Sequence, residues 1–167
     1  MSNFVKIKNK INRFNKKLSI DGDKSLSIRW ALLASQAKGK SKCVNLLKSE
    51  DVINTLNCLK ELGVKYKLKK NSCEIIGKGL NSFNYKKNIT LNAGNSGTLG
   101  RLILGLLVHS KTKIYIKGDK SLSKRDFTRV TKPLEKYKTM ETIIDNKFTK
   151  IKSNNIDGTT TLNKLDE

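Results

Sequence analysis

Gly22-Asp23-Lys24-Ser25-Leu26-Ser27-Ile28-Arg29 returns later in the chain as Gly118-Asp119-Lys120-Ser121-Leu122-Ser123-Lys124-Arg125, with one mismatch. Between the two lies a stretch of similar design, Asn95-Ser96-Gly97-Thr98-Leu99-Gly100-Arg101. Each joins small, hydroxylated residues to an Arg three or four places beyond a Ser or Thr. Each is read as the point where a strand gives way to a helix. Unpaired N–H groups at a helix start favour anions, and a hydroxyl adds a donor. An Arg one turn on shares that face and can fork onto a carboxylate or phosphate. Three such stretches predict a pocket for a small molecule with several negative charges.

Working outward, the periodicity describes a repeated unit. Residues 4–11 alternate apolar and basic positions, as an edge strand does. Residues 18–20 read as a short strand and 25–38 as a helix ended by Gly39. A strand at 43–47 follows. Ser49 then caps a helix with Glu50 and Asp51 in its first turn, and Val52, Leu56 and Leu59 mark its apolar face. Gly63 stops that helix. Residues 64–68 and 73–76 form a hairpin. The β-α-β-α-β-β pattern then begins again: strand 89–91, helix 98–109, strand 113–116, helix 126–138 and a hairpin of 141–144 with 148–151. The second helix of this copy holds Pro133, which costs it one backbone hydrogen bond or a kink.

The two units are offset by roughly 70 residues, whereas the octapeptide repeat is offset by 96. The repeat therefore opens the first helix of one unit and the second helix of the other. The expected fold is α/β (α+β), divided into an N-terminal strand segment (1–15), two β-α-β-α-β-β units (16–153) and a divergent tail (154–167).

Composition narrows the function classes. The chain has 167 residues, 37% hydrophobic, and a formal charge of +21. Thirty of the basic residues are Lys and five are Arg (13, 29, 101, 125 and 129). The lysines are dispersed, and no aromatic cluster interleaves with them as single-strand binders need. The expectation is a small anionic ligand, with no nucleic acid and no membrane as partner. The longest apolar run, 102–108, is far short of the ~20 residues of a spanning helix. The basic N-terminus lacks an apolar signal core, so a cytoplasmic location is expected. Cys43, Cys58 and Cys73 form no C-x-x-C pair, and His109 is the single histidine. This pattern predicts reduced, mostly buried thiols and no metal site.

The three motifs, in this order and spacing, resemble the EPSP synthase family (3-phosphoshikimate 1-carboxyvinyltransferase), over about residues 15–138. The resemblance implies the enolpyruvyl transferase fold, of which this chain holds about two of six units. It also implies transfer of the enolpyruvyl group of phosphoenolpyruvate to shikimate 3-phosphate, without a cofactor, by a protein that is a monomer at full length. By the same resemblance Lys24, Ser25 and Arg29 hold shikimate 3-phosphate, while Lys24, Asn95, Gly97, Thr98 and Arg125 bind phosphoenolpyruvate. Arg101 is expected to fix its loop, and Asp21, Asp23 and Asp119 to cap turns.

Leu102 and Asp126 depart from the family pattern, which often has Pro at both places. The family's acid–base residues lie in a second domain without counterpart here, so the chain is expected to be an incomplete fragment, inactive alone. Leu104, Leu107 and Val108 are the expected exposed core residues. Two alternatives are a UDP-N-acetylglucosamine enolpyruvyl transferase, disfavoured because no Cys lies between the second and third motifs, and a non-enzymatic basic nucleic-acid-binding protein.

Overall fold

The computed structural model describes residues 20–110, 112–136, 141–145 and 148–152. The expected strand at 4–11, most of that at 18–20, and the tail from 154 on lie outside these residues. Ile20 itself is not in a strand.

Helix α1 (Lys24–Gln36) begins because Asp23 Oδ1 accepts the backbone N–H of Leu26 at 2.7 Å, filling one of the donors a helix start leaves free. It ends two residues before the expected boundary. Ala37 turns extended, and Gly39 stands inside the next strand at φ +99° rather than closing the helix. Strand β1 (Lys38–Val44) therefore starts five residues earlier than its apolar pattern indicated. Helix α2 (Glu50–Glu61) starts after Ser49 as expected, but the Ser49 hydroxyl makes no capping bond and is buried without a partner among the described residues. Strands β2 (Lys65–Leu68) and β3 (Ser72–Lys78) form the first hairpin.

The second copy runs β4 (Ile89–Gly94), α3 (Gly97–Leu106), β5 (Ile114–Gly118), α4 (Thr128–Lys136), β6 (Glu141–Asp145) and β7 (Phe148–Lys152). Its sheet has the order β4-β5-β7-β6, with β4 and β5 parallel and the rest antiparallel. The first sheet is β1-β3-β2, antiparallel throughout. Setting β1, β3 and β2 on β5, β7 and β6 superposes the two orders, so the internal repeat is one of topology. Pro133 sits inside α4, which keeps Phe127, Val130 and Leu134 turned toward the core. Tyr137 lies outside the described residues.

One apolar cluster serves both units. Ile28, Leu56, Leu59, Ile75, Leu91, Leu99, Ile103 and Ile114 are all at most 1% exposed and belong to it. Helix α2 joins the halves, packing on α1 and on β4, where the Cys58 thiol donates to the Asn92 carbonyl at 3.4 Å. The expected exposed residues are corrected here. Leu104 and Leu107 are buried and Val108 is half-buried, because the whole inward face of α3 meets this cluster. The apolar side chains left outside on the helices are Leu26 and Leu33, one heptad apart on α1, and Leu102 on α3.

Candidate functional site

The two octapeptides start alike. Asp23 and Asp119 each accept, at 2.7 Å, the N–H three residues on (Leu26 and Leu122). Ser27 and Ser123 each donate a backbone N–H to the carbonyl of that same Asp. Then they part. After Ile28 the chain continues as α1. After Leu122–Lys124, a single 3₁₀ turn, it leaves in extended form at Arg125. The third motif therefore does not open an α-helix, as its likeness to the first predicts. The two copies bury different positions. Ile28 is buried and Leu26 exposed in the first, whereas Leu122 is buried and Lys124 exposed in the second. Burying such an aliphatic side chain is worth about 1.5–3 kcal/mol, so each turn is anchored in the core by a different residue.

This divergence sets Arg125 against the second motif. Its Nη2 donates to Asn95 Oδ1 at 2.6 Å. The other end of the same amide, Asn95 Nδ2, donates to Asp119 Oδ2 at 2.6 Å. With one oxygen on the Leu122 N–H and the other on Asn95, Asp119 fixes which way the Asn95 amide faces. The Leu122 N–H foremost holds the Asp119 carboxyl below its ordinary value; desolvation opposes it, and Asn95, the Ser121 N–H and the positive Arg125 add to the lowering.

Gly97 opens α3 beneath this network. A Cβ there would stand 2.7 Å from Arg125 Nη1 and 3.0 Å from Arg101 Nη1, so glycine lets two guanidinium groups close over the helix start. Arg101 is itself tied down, as expected of it: Nη2 donates to the Asp126 carbonyl at 3.1 Å, and the guanidinium lies 5.3 Å from the centroid of the Phe127 ring. Ser96 Oγ accepts the Leu99 N–H at 3.2 Å, leaving the first N–H groups of α3 without partners within the helix.

Lys24 is held on α2. Its Nζ is 3.1 Å from Asp51 Oδ2, in the first turn of α2. From the same helix Glu50 and Asn54 face Gly94, where φ is +57° and a Cβ would run into the Asn54 amide. Asn95, Arg125 and Gly97 are thus brought together, whereas Lys24 is tied to Asp51 and makes no hydrogen bond or ion pair with those three among the described residues. Ser25 and Thr98 are half-buried and outside these contacts, and Arg29 is exposed, with no ion pair among the described residues.

Sequence reasoning missed Asp51, Glu50 and Asn54, taking the acids as complements of the helix dipole alone. It gave Asp119 a capping role, which it has, but not its hold on Asn95. Nothing local pairs Asp51 with Lys24, because they meet only when α1 packs on α2. The thiols stand apart from this cluster. Cys58 and Cys73 are buried and Cys43 is half-buried, all free. No group of three or more His, Cys, Asp or Glu among the described residues could hold a metal, and no described helix is long and apolar enough to cross a membrane.

The sequence profile of EPSP synthase (3-phosphoshikimate 1-carboxyvinyltransferase) matches residues 8–162. That is longer on both sides than the stretch carried by the three motifs. A relative named 3-phosphoshikimate 1-carboxyvinyltransferase from Alkaliphilus metalliredigens is 38% identical over 130 residues, 78% of this chain and 30% of its own. Another of that name, from a Thermoanaerobacter species, is 41% identical over 117 residues, 70% of this chain and 27% of its own. The solved EPSP synthase from Acinetobacter baumannii aligns with a TM-score of 0.74 at 30% identity, covering 83% of this chain and 32% of that one. The chain thus spans about 30% of the length of the curated relatives it matches.

Proposed function

Because the chain belongs to the EPSP synthase family, we propose that it supplies the anion-binding half of a site that transfers the enolpyruvyl group of phosphoenolpyruvate to shikimate 3-phosphate. The products are 5-enolpyruvylshikimate 3-phosphate and inorganic phosphate. The observation that carries this reading is the Asp119–Asn95–Arg125 network, closed over Gly97 at the start of α3. It holds a guanidinium beside free helical N–H groups, which suits a phosphate or carboxylate. Arg125, Asn95, Gly97 and Thr98 take phosphoenolpyruvate. Lys24, from the facing helix, reaches both substrates. Ser25 and Arg29 take shikimate 3-phosphate, with Arg29 on its ring carboxylate.

Addition across the enol ether needs an acid for the methylene carbon and a base for the attacking hydroxyl. The carboxylates nearest the motifs are engaged otherwise: Asp23 and Asp119 cap, and Asp51 pairs with Lys24. With those three engaged, we expect the 167-residue chain to bind without turning over.

The test is calorimetry with shikimate 3-phosphate and phosphoenolpyruvate on the chain and on Arg29→Ala, beside an assay for released phosphate. We expect binding of shikimate 3-phosphate that Arg29→Ala weakens by roughly ten- to hundredfold, one charge-assisted contact of about 1.5–3 kcal/mol, and no phosphate above background. Binding indifferent to Arg29, or turnover by the chain, refutes the assignment.

A further inference from the structure

The lysines, dispersed along the sequence, are gathered by the first sheet. Side chains along a strand alternate between faces, so residues two apart project together. On β1 the outward positions are Lys38, Lys40, Lys42 and Val44; on β2 they are Lys65 and Lys67; on β3 they are Ser72, Glu74, Ile76 and Lys78. The register lays them in rows. Lys38 faces Lys78, Lys40 and Lys65 flank Ile76, and Lys42 and Lys67 flank Glu74. All six lysines are exposed. Glu74 is the one carboxylate among these positions, and its ion pairs, both long at 3.9 Å, go to Lys40 and to Lys69 beyond the end of β2. Lys38, Lys42, Lys65, Lys67 and Lys78 have no ion pair among the described residues. Like charges directly opposite one another, as at Lys38 and Lys78, destabilise a sheet, so the fold carries this face at a cost.

We propose that this outer face of β1-β3-β2 is a docking surface for the phosphate backbone of duplex nucleic acid, without sequence preference. Charge complementarity carries the inference. Lysines two residues apart on a strand stand about 6.7 Å apart, so each strand offers a row of separate ammonium groups to a row of phosphates. No Arg stands on the face, so the rigid guanidinium fork is missing and the lysines meet phosphates as point charges. No aromatic side chain stands among the outward positions, so single strands gain no stacking platform. The apolar side chains exposed there are Val44 and Ile76, and no Trp, Phe or Leu offers a bilayer its anchor. The surface is distinct from the helix-start cluster around Arg125, which lies in the other unit, and the inference does not depend on the proposed enzymatic role.

The test is binding of the full chain to a mixed-sequence duplex of about 20 base pairs between 50 and 200 mM salt. Four to five neutralised phosphates predict weakening by roughly 150- to 500-fold over that range. A face variant, Lys40→Glu, Lys42→Glu, Lys65→Glu and Lys67→Glu, is compared with a control carrying Lys→Glu at Lys60, Lys86, Lys87 and Lys113. These are exposed lysines off the face, and the change in net charge is the same. The four face changes to Gln serve as a milder version, with circular dichroism on every variant. We expect the face variant to lose at least tenfold in affinity and most of the salt slope, and the control to stay within about twofold of wild type. Equal losses in both would mean diffuse net charge, not a surface, and would overturn the proposal. So would a wild type that ignores the duplex, whether it binds nothing or only vesicles of phosphatidylglycerol in phosphatidylcholine.

Discussion

Gly97→Ala separates what this glycine does for folding from what it does for the site. Its backbone is not in the left-handed region, so alanine meets no conformational penalty. In a helix interior Ala is favoured over Gly by about 0.8–1.0 kcal/mol, and by less in the first turn. Against this, the new Cβ would lie 2.7 Å from Arg125 Nη1 and 3.0 Å from Arg101 Nη1. Both atoms are tips of long side chains and can give way. Arg101 has little room, since its other nitrogen is bonded to the Asp126 carbonyl and its plane lies over Phe127. Arg125 must therefore retreat, by about 0.7 Å to reach ordinary contact at 3.4 Å. That stretches its 2.6 Å bond to Asn95 toward the limit of a hydrogen bond. The propensity gain and the side-chain clash oppose each other, so stability should change by less than about 1 kcal/mol, or roughly 2–4 °C in Tm for a chain of this size. The site loses the placement of one guanidinium, about 1.5–3 kcal/mol, or roughly ten- to hundredfold in affinity. The assay is a thermal melt beside phosphoenolpyruvate titration, in the presence of shikimate 3-phosphate, read at the amide resonances of residues 97 and 98. A fall in Tm well beyond 4 °C with unchanged affinity would refute the reasoning, for it would make Gly97 a packing residue.

Two further outcomes follow from the titrating groups. Asp119 has a folded pKa below its ordinary value, so the stability it contributes is fully present above the usual aspartate range and is lost as pH falls through the lowered value; a carboxyl resonance of Asp119 that titrates at the ordinary aspartate value would contradict the network. Burial foremost, reinforced by the nearby Glu61 carboxylate, pushes the Cys58 thiol up to about 12, and burial pushes Cys73 up to about 11. At pH 8 both remain neutral thiols, so alkylation of the folded chain should mark Cys43 first and Cys58 only on unfolding, and early labelling of Cys58 by mass spectrometry would show the α2–β4 contact to be open.

The architecture was legible because its signals are local. Apolar spacing at two and at three to four residues gave both hairpins, all four helices and their order. What blurred was each boundary set by packing. Strand β1 begins with Lys38-Gly39-Lys40, which carries no apolar alternation, and takes its form from pairing with β3 across Lys38–Lys78. The buried face of α3 was misjudged for the same reason, since whether Leu104 or Leu102 turns inward depends on where Phe127 and β5 lie.

By itself the sequence determined the repeated unit, the three motifs and the family they belong to, since glycine, capping Asp and Arg at fixed offsets act within one turn of chain. Only the tertiary structure decided what each motif became. The first octapeptide buries Ile28, stays helical and leaves Arg29 in solvent. The second buries Leu122 instead, ends in a 3₁₀ turn and delivers Arg125 to Asn95. Packing of α1 on α2 set Lys24 on Asp51, and strand pairing collected lysines scattered from 38 to 78 onto one face. A sequence fixes which groups a turn offers, whereas burial and pairing, which act between segments far apart in the chain, fix the groups they meet.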